Sequence, residues 1–138
     1  IKEMMTILNK KSGLLGISGE TGDVRDLKVL AAKGDKRAEL AIDMFAYRVK
    51  KYIGSYMAAL GRVDAIIFEG GIGEHNPDVL DRCVAGLEPL GIVFDSSHND
   101  DEQYEGIISK PESKIPMYVI PTNEELEIAK ETMEAIEK

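Results

Sequence analysis

The run Phe68-Glu69-Gly70-Gly71-Ile72-Gly73-Glu74-His75-Asn76-Pro77 sets three glycines, two acids and an imidazole at the end of an apolar segment. Glycine lets backbone N–H groups approach a ligand without Cβ interference, and a helix opening there adds partial positive charge. In α/β sheets, ligands gather beyond the carboxyl ends of strands, where this run must lie. Three nucleotide loops compete for it. The Walker pattern fails, because no Gly-Lys-Ser/Thr tripeptide follows. The dinucleotide fingerprint is matched only at Gly71 and Gly73, with Asn76 where the third glycine belongs. Its strand also lacks a βαβ partner with an acid about 20 residues on. The third is flat backbone packed against a base and ribose, with phosphates and Mg²⁺ handled elsewhere; such a loop needs no lysine. A tight left-handed turn that needs glycine for geometry alone is the plainer alternative. Spacing leaves both open.

Two further stretches carry usable groups. In "GETGDVRD", Asp23 suits a helix N-cap, Val24 follows, and Arg25 offers planar donors in the first turn. In "PTNEE", Thr122 and Glu125 have the spacing of a capping box, and acids there complement the helix dipole. That pairing leaves Glu124 unused. His75 has no second histidine nearby in sequence, so a metal-binding or general-base role has no support. Cys83 falls on an apolar helical stripe and reads as a small core residue. The acidic "NDDEQYE" lacks the spaced acids and central glycine of a calcium loop, and reads as solvated.

These groups need elements to hold them. Residues 3–9 read as a helix end, and "LLGISGETGDVRD", broken by Gly16, Gly19 and Gly22, as strand or loop. Asp23 would cap a short helix running to Leu30. The longest regular pattern spans 35–60, with Ala38, Ala41, Ile42, Phe45, Val49, Tyr52, Ile53, Tyr56, Met57 and Leu60 at three- and four-residue steps. Ordering its backbone costs about 1–2 kcal/mol per residue, so the stripe must share a core with a sheet. "VDAIIF", 63–68, is apolar on both faces, as in an interior parallel strand. Pro77 opens a helix whose stripe, Leu80, Cys83, Val84 and Leu87, runs up to Gly91. "IVF", "GIISK" and "MYVIP" read as short strands, "DSSHNDDEQYEG" as a polar loop, and 122–138 as a final helix. The class is α/β, in one domain.

The chain has 138 residues and a formal charge of −8, which argues against nucleic acid as a partner. A single cysteine, no N-x-Ser/Thr sequon and no apolar run of membrane-spanning length point away from secretion and the bilayer, and toward the cytoplasm. The opening "IKEMMTILNKKSG" reads as the middle of a helix, so a fragment of a longer chain is expected.

Taken together, "LNKKSGLLGISG", "FAYRVKKYIGSYMAALGRVDAIIFEGGIGEHNPDV", "GLEPLGIVFD" and "VIPTNEELEIAKET" resemble the acetate kinase family, in family order and over most of the chain. The resemblance is to the C-terminal third of a longer protein. It implies the ribonuclease-H-like, nucleotide-binding lobe of the acetate and sugar kinase, Hsp70 and actin superfamily. The implied activity is reversible phosphoryl transfer from ATP to acetate, giving acetyl phosphate and ADP. Propionate kinases share the same phrases and are the near alternative; an NAD-binding domain is the alternative from another class. On this resemblance, Gly71, Ile72, Gly73, Glu74 and His75 bind ATP or ADP at the adenosine end, and Asp23, Val24 and Arg25 form a second nucleotide stretch. Glu124 is implied as a ligand of Mg²⁺, or of Mn²⁺ in its place. The family's catalytic arginines, aspartate and histidine come from earlier sequence and match nothing here. Family members pair through this part of the chain, so a homodimer is implied.

Overall fold

The computed structural model describes residues 1–98 and 105–136. The acidic "NDDEQYE" run lies largely outside them, as do the last two residues of the expected final helix.

The spine of the fold is α4 (Lys36–Leu60). Its first turn is held by Asp35, whose carboxylate accepts the N–H groups of Arg37 at 2.9 Å and Ala38 at 3.0 Å. Ala38, Ala41, Ile42 and Ala46 are buried. Small side chains let helices approach closely, and α3 (Val24–Ala32) and α6 (Pro77–Val84) both pack on this half of α4. Arg82 pins α6 to α4, with Nη1 2.7 Å from both Glu39 and Asp43. Beyond Ala46 the stripe thins: Phe45, Val49, Ile53 and Met57 are half-buried, while Tyr52, Tyr56 and Leu60 are exposed. The helical phase was legible, but the core covers only part of the stripe.

Among the described residues the sheet has three strands, in the order β1 (Ile66–Phe68), β3 (Met117–Val119), β2 (Gly106–Ile107). β1 runs parallel to β3, with Ile66 opposite Met117 and Phe68 opposite Val119; β2 is antiparallel. The strand expected over 63–68 is therefore shorter. It lies at the edge of this sheet, and Ile67 is 55% exposed. "IVF" is not a strand but a core segment with one bridge, Phe94 to Ser109. Its backbone is satisfied by a loop instead: Val93 N–H donates to Ser113 Oγ, and Val93 C=O accepts from Lys110 N–H. Leu27, Val79, Cys83, Val84, Ile92, Ile108 and Met117 fill the interior between helices and sheet. Burial pushes the Cys83 thiol up to about 11, which leaves it protonated and unreactive at neutral pH.

Two glycine-broken stretches are helical, contrary to expectation. Residues Gly13–Ser18 form α2, which stops at Gly19 in the left-handed conformation (φ 80°). Glycine thus ends this helix rather than preventing it. Residues Gly70–His75 form α5, a turn and a half that follows β1 after one residue. The helix expected up to Gly91 stops at Val84, because Ala85 turns extended and Gly86 takes a positive φ. α1 (Lys2–Lys10) and α7 (Glu124–Ile136) have no buried residue, so the apolar set of α7 stays outside this core.

The Thr122–Glu125 capping box does not form. Asn123 caps α7, accepting Leu126 N–H at 3.0 Å. Thr122 is drawn instead to Glu74, whose Oε1 accepts from Thr122 N–H, Thr122 Oγ1 and Gly70 N–H, each at 3.0 Å. These donors hold the Glu74 carboxyl below its ordinary range, with the Thr122 bonds the largest cause. One carboxylate thereby ties the start of α5 to the segment leading into α7. The tie predicts a coupled mutant cycle in thermal unfolding. Glu74→Ala and Thr122→Val should each lower Tm, and Thr122→Val should add almost nothing once Glu74 is gone; simple addition of the two losses would contradict the tie.

Candidate active site

The segment entering α3 is fixed by a buried serine. Ser18 Oγ donates to Thr21 C=O at 2.9 Å and accepts the N–H groups of Glu20 and Thr21. The chain then reaches Asp23, which does cap α3, accepting Arg25 N–H at 2.9 Å. The same carboxylate grips the Arg25 guanidinium, with Nε at 3.0 Å and Nη2 at 2.5 Å. Those bonds draw the Asp23 carboxyl down to about 2, the Arg25 side chain first among the causes. Because the folded value is depressed, the Asp23 contribution is complete above the ordinary aspartate range. It disappears only as the pH falls toward about 2. Arg25 is mostly solvent-exposed and is held by Asp23 at the rim of a cleft. Val24 turns inward and is buried.

Opposite stands α5. Two of its glycines have structural duties. Gly70 has φ +71°, which side chains rarely adopt, and a Cβ on Gly73 would lie 3.2 Å from the Phe68 carbonyl carbon. Gly71 has neither constraint: its φ is ordinary and a Cβ there would meet nothing within 4 Å. The left-handed turn suggested as a plainer reading thus accounts for Gly70 and leaves Gly71 unexplained.

Between these walls lies a cleft of about 830 Å³, lined by residues of both stretches, Asp23-Val24-Arg25 from one side and Gly71, Ile72 and His75 from the other. Its size suits a small organic ligand, for which roughly 300–1,000 Å³ is typical. Gly73 and Glu74 do not line it. Gly73 is buried under Phe68, and Glu74 is spent on Thr122 and Gly70. Leu14 and Val29 add apolar wall, and Lys28 and Asn76 add polar groups. Sequence reasoning missed all four, although Lys28 stands three residues after Arg25, on the same face of α3.

Glu124 does not reach the main cleft. It lines an adjoining recess of about 330 Å³ with Gly70, Gly71, Thr122, Asn123 and Glu125, so Gly71 borders both spaces. Among the described residues no cluster of three or more His, Cys, Asp or Glu could hold a metal unaided. The recess nevertheless offers the carboxylates of Glu124 and Glu125 and the hydroxyl of Thr122, and Mg²⁺ characteristically takes one or two carboxylates and completes its shell with water and phosphate. Two carboxylates bordering one recess are compatible with that habit. No helix among the described residues is long and apolar enough to cross a membrane.

The Acetokinase family profile matches residues 1–130. The acetate kinase of Caldicellulosiruptor saccharolyticus is 55% identical over 140 aligned residues, which cover all of this chain and 35% of that protein. Among solved structures, the acetate kinase of Porphyromonas gingivalis superposes with a TM-score of 0.85 at 44% identity, over 96% of this chain and 34% of its own. A propionate kinase from Francisella tularensis gives 0.83 at 43%, over 95% and 33% respectively. The chain spans about a third of the length of each. By sequence and by fold, it belongs to the acetokinase family.

Proposed function

We propose that this chain is the C-terminal, ribonuclease-H-like nucleotide-binding lobe of an acetate kinase, and that the cleft between α3 and α5 holds the adenosine of ATP or ADP. The observation that carries the reading is Gly71. Of the three glycines of α5 it is the one with neither a positive φ nor a close neighbour, and it lines both the cleft and the recess beside Glu124. In this reading the main chain at Gly71 and Ile72 lies flush under the nucleoside. Leu14 and Val29 supply apolar contact, and Arg25 offers a flat guanidinium at the rim. Gly73 and Glu74 support the wall from behind, and His75 closes its end.

Phosphates leaving the cleft past Gly71 would enter the recess, where Glu124 rather than Glu125 holds Mg²⁺, or Mn²⁺, as the family resemblance assigns. The metal, when bound, neutralises charge spread over the phosphate oxygens. The reaction joins an acetate oxygen to the terminal phosphorus as the bond to the bridging oxygen breaks, releasing ADP. The role of this chain is to bind and align the donor nucleotide, since in-line phosphoryl transfer depends mainly on positioning and countercharge. The full protein works in the cytoplasm as a homodimer, for which the exposed tyrosines of α4 offer a surface.

The prediction separates stability from binding. Replacing a helical glycine that has open space around it with alanine stabilises a helix, by about 0.5–1 kcal/mol. In the full-length protein, Gly71→Ala should therefore hold or raise Tm while weakening ADP about tenfold, read by calorimetry. The unmodified protein should prefer ADP to NAD. Unchanged ADP affinity in Gly71→Ala, or tighter binding of NAD, would overturn the reading.

A further inference from the structure

Lys28 and Asn76 line the cleft but belong to neither stretch assigned to the nucleotide. Lys28 Nζ lies 2.6 Å from Asp78 Oδ1 and donates to Asn76 Oδ1 at 3.2 Å. Asn76 is 5% exposed, and its Nδ2 donates to the carbonyls of Gly71 and Ile72, both at 3.3 Å. An asparagine amide presents an acceptor on one side and two donors on the other. The ammonium can only donate, so it selects the oxygen, and the NH₂ is then aimed at the two carbonyls. The reverse orientation would set NH₂ against ammonium and oxygen against carbonyl oxygens.

As an ion pair on a half-exposed surface, Lys28 and Asp78 would contribute about 0–1 kcal/mol and nothing more specific. The burial of Asn76 changes its meaning. Without the ammonium, the buried Oδ1 loses its donor, and such a group tends to reorganise to recover one. Lys28 lies on α3 and Gly71 on α5, the two walls of the cleft. We propose that Lys28 is a positioning residue: by fixing the Asn76 amide, it fixes the backbone at Gly71 and Ile72 and hence the fit of the nucleoside. The role at the nucleoside rests on the proposed reading of the cleft; the hold on the backbone does not.

The test uses the protein at full length. Lys28→Met keeps the aliphatic stem and removes the charge. It should raise the nucleotide KM about three- to tenfold, with kcat and the acetate KM within about twofold. Lys28→Arg, which can still donate to both partners, should stay within about twofold of the unmodified protein. Asp78→Asn leaves the ammonium on Asn76 and should stay within the same limit. In an Asn76→Ala background, Lys28→Met should add less than about twofold, because the path runs through Asn76. An unchanged KM in Lys28→Met, or an equal effect in both backgrounds, overturns the proposal. Hydrogen exchange of the ligand-free protein decides independently of nucleotide: amides over 72–80 should exchange faster in Lys28→Met, and unchanged protection there also overturns it. If the unmodified protein takes no nucleotide, the reading of the cleft falls, and the exchange result alone judges Lys28.

Discussion

The close passage of α5 beneath the end of β1 governs the rest of the architecture. Gly73 lies so near the Phe68 backbone that a Cβ would have to displace main chain, and Gly70 turns through a positive φ to bring the helix there. With α5 held against the strand end, Gly71 faces outward. Asn76 lands under α3, and Glu74 reaches the segment after β3. Remove that approach, and the cleft loses one wall, the recess loses its shared border, and Glu74 loses its partner.

The charged groups around the cleft are mostly used to hold shape. Asp23 both caps α3 and clamps Arg25, Glu74 accepts three bonds from two segments, and Lys28 is divided between Asp78 and Asn76. A surface so braced loses little freedom when a ligand arrives, so less of the contact energy is spent on ordering. Glu124 stands apart from this pattern. Among the described residues its carboxylate has no hydrogen-bonding or ion-pair partner, and it sits at the start of a helix that caps through Asn123 instead. An uncommitted carboxylate beside the recess is what the proposed Mg²⁺ site would need.

Much of this was legible in the sequence, for stated reasons. Asp23 caps α3 because a short polar acceptor satisfies first-turn N–H groups where a helix begins. The 3.6-residue stripe of α4 and the inward Cys83 followed from periodicity. The convergence of Asp23-Val24-Arg25 with Gly71-Ile72 came from family resemblance, since the two stretches are far apart in the chain. What failed was reading glycine as a universal breaker. Gly16 sits inside α2, and Gly70, Gly71 and Gly73 all lie within α5, because packing against the strand outweighs their weak propensity. The Thr122–Glu125 box failed for a different reason: Glu74, 48 residues away in sequence, offered Thr122 a better acceptor. The Lys28–Asn76 contact spans the same separation and leaves no local signal.

A crystal structure of the full-length protein with ADP and Mg²⁺ tests the central claim most directly. The account requires the purine and ribose between the Asp23–Arg25 rim and the Gly71–Ile72 main chain, with van der Waals contact at Gly71 and the phosphates directed toward Glu124. A nucleoside bound anywhere else, with Gly71 left open to solvent, would contradict it.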